Sequence, residues 1–435
     1  IVVDKLGNTF TFGADSNARL NNPADGSQVF TWYLNKFQDS KGNFVNYKYV
    51  KIDGQVYPSE VRYTGHGTED GVFAIHFNLE DRPDSAISAK YGFIISNTKR
   101  IASVEIKVFD VVTTRYNLFY QQQNVNGRSQ LVKIDRVGFD VTGQNAVSDG
   151  GFKFAYESIG ATNLLTKIVQ NTGGVTKVSY KSSSQYVDDS GNLLNPRLPF
   201  SVQTVSKIEY DDRNGTVWGN EFQYAGGWFY YNGPFDRRFV GFEKVTRTDS
   251  AGNKLATYYH QGNGTNLVFG ESGDDWALAG KVYKSELRDS SDKLFSQVFN
   301  KWEFVRFGGG GGNGGGSGSG ASTQRAFTKL SQSVSRTFDG NVSHKDSAKG
   351  YWYDSDTGNL MTAVDFGEVV ASDVGTIVDI GTDKVTSEFD YAEPVVGVDI
   401  VGLASSEVLT DQFGDKVKES RKYYDNLPFG QVGQG

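Results

Sequence analysis

The sequence predicts an all-β protein, either of two or three domains or of one continuous repeat sheet, and three features support the β-strands. Aromatic residues, which favour strands, make up 14% of the 435 residues. Pro, which removes a donor from a strand ladder, occurs only 8 times, whereas Gly, which permits tight turns, occurs 52 times. Apolar and polar residues alternate in every segment where a strand is expected.

The alternation is clearest between residues 73 and 79, where Phe73, Ile75, Phe77 and Leu79 share one side of an extended chain. Segments 104–109 and 152–156 follow the same pattern, which is typical of half-buried strands. No tested segment keeps an apolar stripe at helical spacing for three turns, so any helix is expected to be short.

Composition excludes several classes of protein. The net charge is −7 and no run of Lys or Arg suggests a phosphate-binding stripe, which argues against a nucleic-acid partner. No apolar stretch approaches the roughly 20 residues of a membrane-spanning helix. Without Cys there are no disulfides, thiolate nucleophiles or Cys-based metal sites. The four His residues are scattered without metal-ligand spacing, and we expect no metal or cofactor: His66, His76, His260 and His344.

Four polar segments of one kind separate the predicted strands. Each begins with Asp and ends with Gly-Asn, a combination that favours a hairpin turn in which Asp caps the turn and Gly-Asn takes left-handed angles. Weaker copies lie at 6–8 and 411–415. The predicted turn residues are Gly42, Asn43, Gly191, Asn192, Gly252, Asn253, Gly358 and Asn359.

Residues 308–320 are almost pure Gly and Ser and have no side chains with which to build a core. We expect a flexible loop or linker there, or an engineered joint, dividing a region 1–307 from a region 321–435. The first residue is Ile1 rather than Met, so we expect a processed chain or an excerpt of a longer protein.

An ordered series of motifs resembles the Rhs/YD-repeat proteins. Residues 30–49 contain a Thr-Trp-Tyr-Leu segment, then Asp…Gly-Asn, then paired tyrosines. Residues 238–260 contain Arg-Phe-Val-Gly-Phe followed by the same kind of turn and Tyr-Tyr-His, and residues 423–430 resemble the start of regular YD repeats. Within that family, the sequence is most similar to the SpvB- and TcdB-like B components of bacterial insecticidal Tc toxins.

The resemblance implies one large antiparallel sheet of YD-type hairpins that spirals into part of a hollow shell, or cocoon, around a C-terminal toxin. Residues 1–307 would be the SpvB/TcdB-like region, and residues 321–435 would lead into further repeats. Trp32, Tyr33, Phe239 and Phe242 would then fill the sheet faces. The sequence lacks the Asp-rich cleavage motif of complete members and the propeller repeats that dock Tc B components.

The function that the resemblance implies is structural, with no catalytic site: containment of a C-terminal toxin or effector. The implied partners are the remainder of the same chain, the enclosed effector and a toxin-translocation component, in a protein that is secreted or at a bacterial surface. The alternative is an extracellular or cell-surface adhesion protein on a YD-repeat shell, as in teneurin-type relatives. Exposed aromatic residues would favour the adhesion protein.

Two acidic segments resemble functional sites. Residues 354–365 begin like a calcium loop, but Asn359 replaces the usual Gly and Asp365 replaces the final Glu, so a hairpin turn is favoured. Residues 80–84 gather three acids as a glycosidase might, yet Arg82 is expected to pair with a neighbouring acid on the surface instead.

Three further segments favour structural interpretations. His260 is expected at a strand end, because no partnered nucleophile accompanies it. The loop 262–265 is rich in Gly but lacks the Lys of a phosphate-binding loop. The aromatic run 228–231 could stack sugars, but a strand buried on both faces is favoured.

Overall fold

The computed structural model describes residues 1–4, 6–123, 126–157, 163–234, 236–264, 274–307, 325–373, 375–393, 401–424 and 427–432. In these residues the only helical segments are three single 3₁₀ turns: Ser16–Ala18, Ser183–Gln185 and Trp276–Leu278. The strands, numbered β1 to β28 in chain order, are Val2–Val3, Thr9–Phe12, Arg19–Asn22, Asp25–Trp32, Leu34–Gln38, Asn43–Ile52, Gln55–His66, Phe73–Ser88, Ile95–Val108, Val111–Gln122, Ser129–Gly138, Val147–Ser148, Phe152–Tyr156, Leu165–Val169, Val175–Ser182, Gln203–Asp211, Val217–Tyr231, Arg237–Asp249, Lys254–Tyr259, Val282–Arg288, Leu294–Phe307, Arg325–Thr337, Lys345–Tyr353, Leu360–Ala371, Ile377–Asp379, Val385–Tyr391, Ala404–Thr410 and Lys416–Arg421.

The predicted fold class is confirmed, because 26 strands form one antiparallel sheet. From β5 to β11, from β13 to β24 and from β26 to β28, each strand pairs with the next one along the chain. The strand β11 pairs with both β12 and β13, and β24 pairs with both β25 and β26. Strands β3 and β4 pair with each other in a separate small sheet, which we call the flap. The main sheet is therefore one long meander.

The register gives the sheet a charged face. Residues directly opposite one another on neighbouring strands point to the same side, so a row of partners marks a face. One row crosses β6 to β10 as Lys48, Glu60, His76, Glu105 and Arg115. Two further rows on the same side contain Ser179, Lys207, Glu221, Thr248, Lys254 and Arg288, and then Gln223, Thr246, Ala256, Glu286, Gln297, Arg336 and Asp346.

The opposite side, the apolar face, carries the alternating apolar residues. Its clearest row is Tyr47, Val61, Ile75 and Ile106, on four successive strands. The predicted strand at 73–79 thus lies within β8 in the expected orientation.

The main sheet forms a single layer with little covering it. The accessible surface of the chain is 25009 Å². A compact globular protein of 47.8 kDa would expose about 16,000 Å². An excess of this size indicates that most strands have solvent on both sides.

Buried apolar clusters are correspondingly small. In one of them the flap packs on the main sheet through Leu20, which touches Val56 and Ile95 while Tyr33 and Tyr49 pack around them. The strands on either side of the Gly- and Ser-rich stretch, β21 and β22, pair with each other. The stretch 308–320 itself lies outside the described residues.

Candidate functional site: clasped hairpins and the charged face

The first predicted turn is a five-residue loop organised by one carboxylate. Asp39 accepts backbone hydrogen bonds from Lys41 at 2.9 Å and from Asn43 at 2.8 Å. The Asn43 side chain donates to the second Asp39 oxygen at 2.7 Å. Gly42 has a φ of 84°, a value that glycine adopts without strain. We call this arrangement the Asp loop.

The second and third predicted turns repeat it. Asp188 and Asp249 organise their loops with the same three hydrogen bonds, and Gly191 and Gly252 have φ values of 84° and 86°. The predicted left-handed angles at the asparagine are wrong. Only the glycine has a positive φ, whereas the asparagine contributes its side chain to the carboxylate: Asn43, Asn192 and Asn253.

The fourth predicted turn differs, because it holds one more residue. Gly358 has a φ of 68°, and Thr357 donates to Asp354 through both its backbone and its hydroxyl at 2.7 Å. Asn359 is also not left-handed; its side chain turns away from Asp354 and donates to the carbonyl of Val401. This loop fastens two distant parts of the sheet.

Further Asp loops lie at positions where the sequence predicts only a weak turn or none. The segment 6–8 is a full copy, because Asp4 accepts from the backbones of Leu6 and Asn8. Three loops end in a residue other than Asn, which hid them, although an Asp three residues before a Gly is a usable signal for two of them, at Asp140 and Asp212. The three loops begin at Asp140, Asp212 and Asp289.

These hydrogen bonds favour the ionised carboxylate. The side chain of Asn192 holds the pKa of Asp188 below its ordinary value, and Asn253 does the same for Asp249. Hydrogen bonds led by the Thr142 hydroxyl lower the pKa of Asp140 to about 2. A lowered folded-state pKa stabilises the fold above pH 3.8, and that contribution is lost as the pH falls through the folded-state pKa.

Valine substitutions at two of these glycines should differ in cost. We expect Gly191→Val to lower the free energy of unfolding by about 1–2 kcal/mol, because a side chain is strained at this φ. Gly252→Val should lower the free energy of unfolding further, because the new Cβ would lie 2.9 Å from the Cβ of Ser290. At Gly191 no atom lies within 4 Å of the corresponding position. Urea unfolding of both variants checks this, and a Gly252→Val protein that unfolds like wild type would show that the loop is not needed.

The open ends of hairpins are closed by an aromatic side chain. Tyr49 donates its hydroxyl to the carbonyl of Leu34 at 2.8 Å, and Tyr180 donates to that of Leu165 at 2.9 Å. Both bonds span 15 positions, and each links a tyrosine in the second strand of a hairpin to the first residue of the first strand. The strand register shifts at each of these tyrosines, which tips the ring over the neighbouring strand. We call this contact the aromatic clasp.

The clasp recurs along the chain. Four more tyrosines make it, and Trp302 makes it with its indole N–H to the carbonyl of Val282 at 2.9 Å. The tyrosines are Tyr120, Tyr156, Tyr391 and Tyr424. In β5–β6, β20–β21 and β27–β28 an Asp loop closes the other end, so these hairpins are fastened at both ends. This explains the Asp and Tyr motifs of the sequence in physical terms.

Ionising the clasps should destabilise the sheet at high pH. Burial raises the pKa of Tyr156 and of Tyr180 above the ordinary 10.0. Groups whose folded-state pKa is raised contribute stability below pH 10, and that stability is lost as the pH rises through the folded-state pKa. We therefore expect the urea midpoint to fall above pH 10. At pH 7, Tyr180→Phe should cost about 1 kcal/mol, whereas the exposed Tyr231→Phe should cost nothing measurable; equal costs would argue against the clasp.

The first pair of predicted aromatics separates. Tyr33 packs 5.4 Å from Tyr49 in the small core beneath the flap. Trp32 lies on the flap over Gly13, where a Cβ would collide with it, and its side chain is 54% exposed. Trp32 therefore presents much of its surface to solvent.

The second pair stays together. Phe239 lies 5.5 Å from Phe242, which in turn lies 5.0 Å from Tyr224. These rings form one aromatic cluster across β17 and β18.

The aromatic run 228–231 corrects a prediction. It lies in β17, but it is not buried on both faces: the first three residues are half-buried and Tyr231 is 63% exposed. Phe229 packs against Phe200 at 5.2 Å, and Arg238 lies 4.5 Å above the Tyr230 ring. The single-layer sheet leaves one side of this strand open.

The acidic segment 80–84 forms ion pairs within β8. Arg82 pairs with Asp84 at 2.8 Å, as expected, although both side chains are largely covered rather than on the surface. The hydrogen bond from Arg82 holds the pKa of Asp84 well below its ordinary value. Glu80 pairs with Arg100 and Asp81 with Lys99. Each carboxylate thus has a cation of its own.

His260 lies just after β19 and is fully buried, with Nδ1 3.1 Å from a carboxylate oxygen of Asp274. The other oxygen of Asp274 accepts from the backbone of Gln261 and of Gly262 at 2.9 and 2.8 Å. Burial raises the pKa of Asp274, but hydrogen bonds led by that from His260 outweigh it and leave the pKa lowered. The pair fastens this loop, whose Thr265 lies outside the described residues.

The charged face carries a broad concavity. A void of about 840 Å³ is lined by residues from six successive strands, β15 to β20. A concavity that touches so many strands fits a sheet that curls towards that side. Lys207 lies 3.4 Å from Glu221, and Glu286 lies 2.6 Å from Lys284. The charges therefore largely compensate one another. No three His, Asp or Glu residues in the described ranges are grouped to hold a metal ion.

A curled, single-layer meander of this kind is the fold of Tc toxin chains. Over 98% of its length, the present chain superimposes on a chain of the Photorhabdus luminescens Tc holotoxin pore, with a TM-score of 0.71 and 11% sequence identity. The match covers 40% of that longer chain. The crystal structure of TcdB2-TccC3 matches 98% of this chain, with a TM-score of 0.65, 10% identity and 42% of its own chain covered. The chain thus spans well under half of these relatives.

Family models identify two regions. Residues 1–76 match the Salmonella virulence plasmid 65kDa B protein, and residues 150–266 match the insecticide toxin TcdB middle/N-terminal region. The resemblance to SpvB- and TcdB-like B components of insecticidal Tc toxins is thereby confirmed. No curated protein sequence matches.

Proposed function

We propose that this chain is a length of the wall of a shell that encloses a C-terminal toxin or effector, and that its role is structural rather than catalytic. The observation that carries the proposal is the single-layer meander with its 25009 Å² of surface. One layer of strands buries little apolar surface for its length, which suits a wall. In this proposal residues 1–307 form the SpvB/TcdB-like part, and residues 321–435 lead into further repeats.

The curl of the sheet supports an inner and an outer side. Since the 840 Å³ void lies on the charged face, we place that face on the inside. Paired charges there stay hydrated and give a cargo no strongly charged patch to bind. The turns of the hairpins, which are exposed and polar, then form the rims of the wall.

The partners follow from the same proposal. They are the rest of the chain's own shell, the enclosed effector and a toxin-translocation component. The TcdB2-TccC3 structure supports a partner within a toxin complex, because it joins two differently named components. We place the protein outside the bacterium or at its surface. Among the described residues, no helix has the length and apolarity to cross a membrane.

The test compares native and denatured masses of the product of the full reading frame. A native particle that separates in denaturant into a large shell and a small C-terminal fragment is expected. A single uncut chain of equal mass under both conditions contradicts containment with release.

Adhesion is the second candidate, and exposed aromatics on the flap favour it. Phe30 and Trp32 are 53% and 54% exposed. Exposed aromatic side chains of this kind are enriched at binding surfaces. An uncut chain that binds target cells, and binds them less as the Phe30→Ser and Trp32→Ser variant, would establish adhesion instead.

A further inference from the structure

A half-exposed tryptophan covers the backbone of β23 on the charged face. Trp352 is 50% exposed, and the six-membered ring of its indole lies over Gly350. A Cβ at Gly350 would come within 2.7 Å of this ring and 3.2 Å of Phe366. Only glycine therefore lets the indole lie so close to the strand, where it shows its other side to solvent.

A β-bulge supplies the second wall of this arrangement. On β24, Asp365 and Gly367 pair with consecutive residues of β23, so Phe366 is the extra residue of the bulge. The bulge brings the Phe366 ring beside Gly350. A glycine and a bulge both weaken a strand. Here the two together allow one exposed indole to pack against β23.

The indole forms part of a groove of about 400 Å³, a volume typical of ligand sites. Tyr351, Tyr353 and Phe366 contribute to its lining. Lys301 and Gln332 stand in the same cross-strand row as Gly350, on the side of the indole.

The polar rim is only partly neutralised. Lys329 Nζ lies 3.6 Å from Glu303 Oε2, so these two charges form an ion pair. Lys301 is the third charged residue of the lining, so the groove carries one positive charge in excess.

We propose that this groove holds an extended, proline-containing segment of the polypeptide that the shell encloses. The proposal rests on the proposed function, because it assumes that the charged face lines the inside of the shell and that the bound segment belongs to the enclosed polypeptide. The groove lies within the sheet, where β22, β23 and β24 already pair, so no ligand can add to it as a strand. Recognition is left to aromatic faces and side-chain hydrogen bonds.

A polyproline helix suits those contacts. Its rings pack on flat aromatic surfaces, it is extended before binding, and its carbonyls remain free to accept hydrogen bonds. The side chains of Gln332 and Lys301 are donors at the rim. The excess positive charge favours an acidic residue beside the proline.

The test is fluorescence anisotropy with a fluorescein-labelled peptide of ten residues, proline-rich with one Asp, added to the purified chain. We expect saturable binding, at least tenfold weaker to Trp352→Ala and weakened also by Gly350→Ala, which displaces the indole. Trp218→Ala should bind within twofold of wild type, because Trp218 is similarly exposed, at 47%, on the apolar face. Thermal melts confirm that each variant is folded.

Three results would overturn the proposal: no saturable binding, equal binding of a Gly- and Ser-rich peptide, or unchanged binding to Trp352→Ala. Displacement of the peptide by millimolar cellobiose would assign the groove to a saccharide and would overturn it too. The peptide measurement needs no closed shell. Its failure is therefore distinct from a failure of containment, which the mass comparison detects.

Discussion

Replacing Arg336 by Ala should lower the free energy of unfolding by about 3 kcal/mol, one of the largest effects of any single change in the sheet. The side chains of Arg336 and Asp346 are 8% and 4% exposed and lie 3.7 Å apart. Arg336 also donates to Asp373 at 2.7 Å and to the carbonyl of Ala371 at 2.9 Å. Without the guanidinium, the buried carboxylate of Asp346 keeps its contacts to His344 Nδ1 at 2.5 Å and to the backbone N–H of Ala371 at 3.0 Å but loses the charge of Arg336, and that loss is the main cost.

The matched control is an exposed pair on the next two strands. Lys349 and Asp365 lie 3.0 Å apart with side chains 57% and 47% exposed. Lys349→Ala should cost no more than about 1 kcal/mol, because water solvates both charges. Urea unfolding gives the free energies, and amide hydrogen exchange in β22 to β24 locates the loss. Similar costs for the two variants would contradict a special role for burial.

The second large effect is expected at the flap. Leu20 is 2% exposed and fills the space between Val56 and Ile95, which are 5% and 4% exposed. Leu20→Ala should cost about 3 kcal/mol, since it removes buried surface and leaves a cavity in a cluster too small to rearrange.

Hydrogen exchange of β3 and β4 is the appropriate measurement, because the flap should open while the meander stays folded. Ile87→Ala is the control, as that side chain is 74% exposed and should tolerate truncation. Equal exchange rates in wild type and Leu20→Ala would mean that the flap is held by its strand pairing alone.

Local pattern sufficed to predict the fold. The alternation in β8 set its two faces, and Asp followed by Gly-Asn marked three of the loops correctly, since those hydrogen bonds form within five residues. The error at the asparagines has the same local origin. Gly and Asn both tolerate left-handed angles, so the sequence does not distinguish their roles. The hydrogen bond to Asp39 shows that Asn43 contributes through its side chain and not through a left-handed backbone.

Contacts between distant residues could not be predicted. Asn359 donates to Val401, 42 positions away, and nothing in the turn sequence indicates that partner. The clasp at Tyr180 depends on a register shift that places an extra residue opposite it. The site at Trp352 likewise includes the bulge at Phe366, a register shift between Ala348 and Lys349 that the local sequence does not indicate.

A hairpin that is fastened at both ends has a mechanical consequence. In β5–β6, β20–β21 and β27–β28 the Asp loop holds the closed end and the clasp holds the open end, so these side-chain bonds lie within one hairpin. A chain drawn out from one end should then yield in a series of small steps, one hairpin at a time. Hairpins beyond the unfolded part keep their own Asp loops and clasps, so local unfolding at one edge need not spread through the whole sheet.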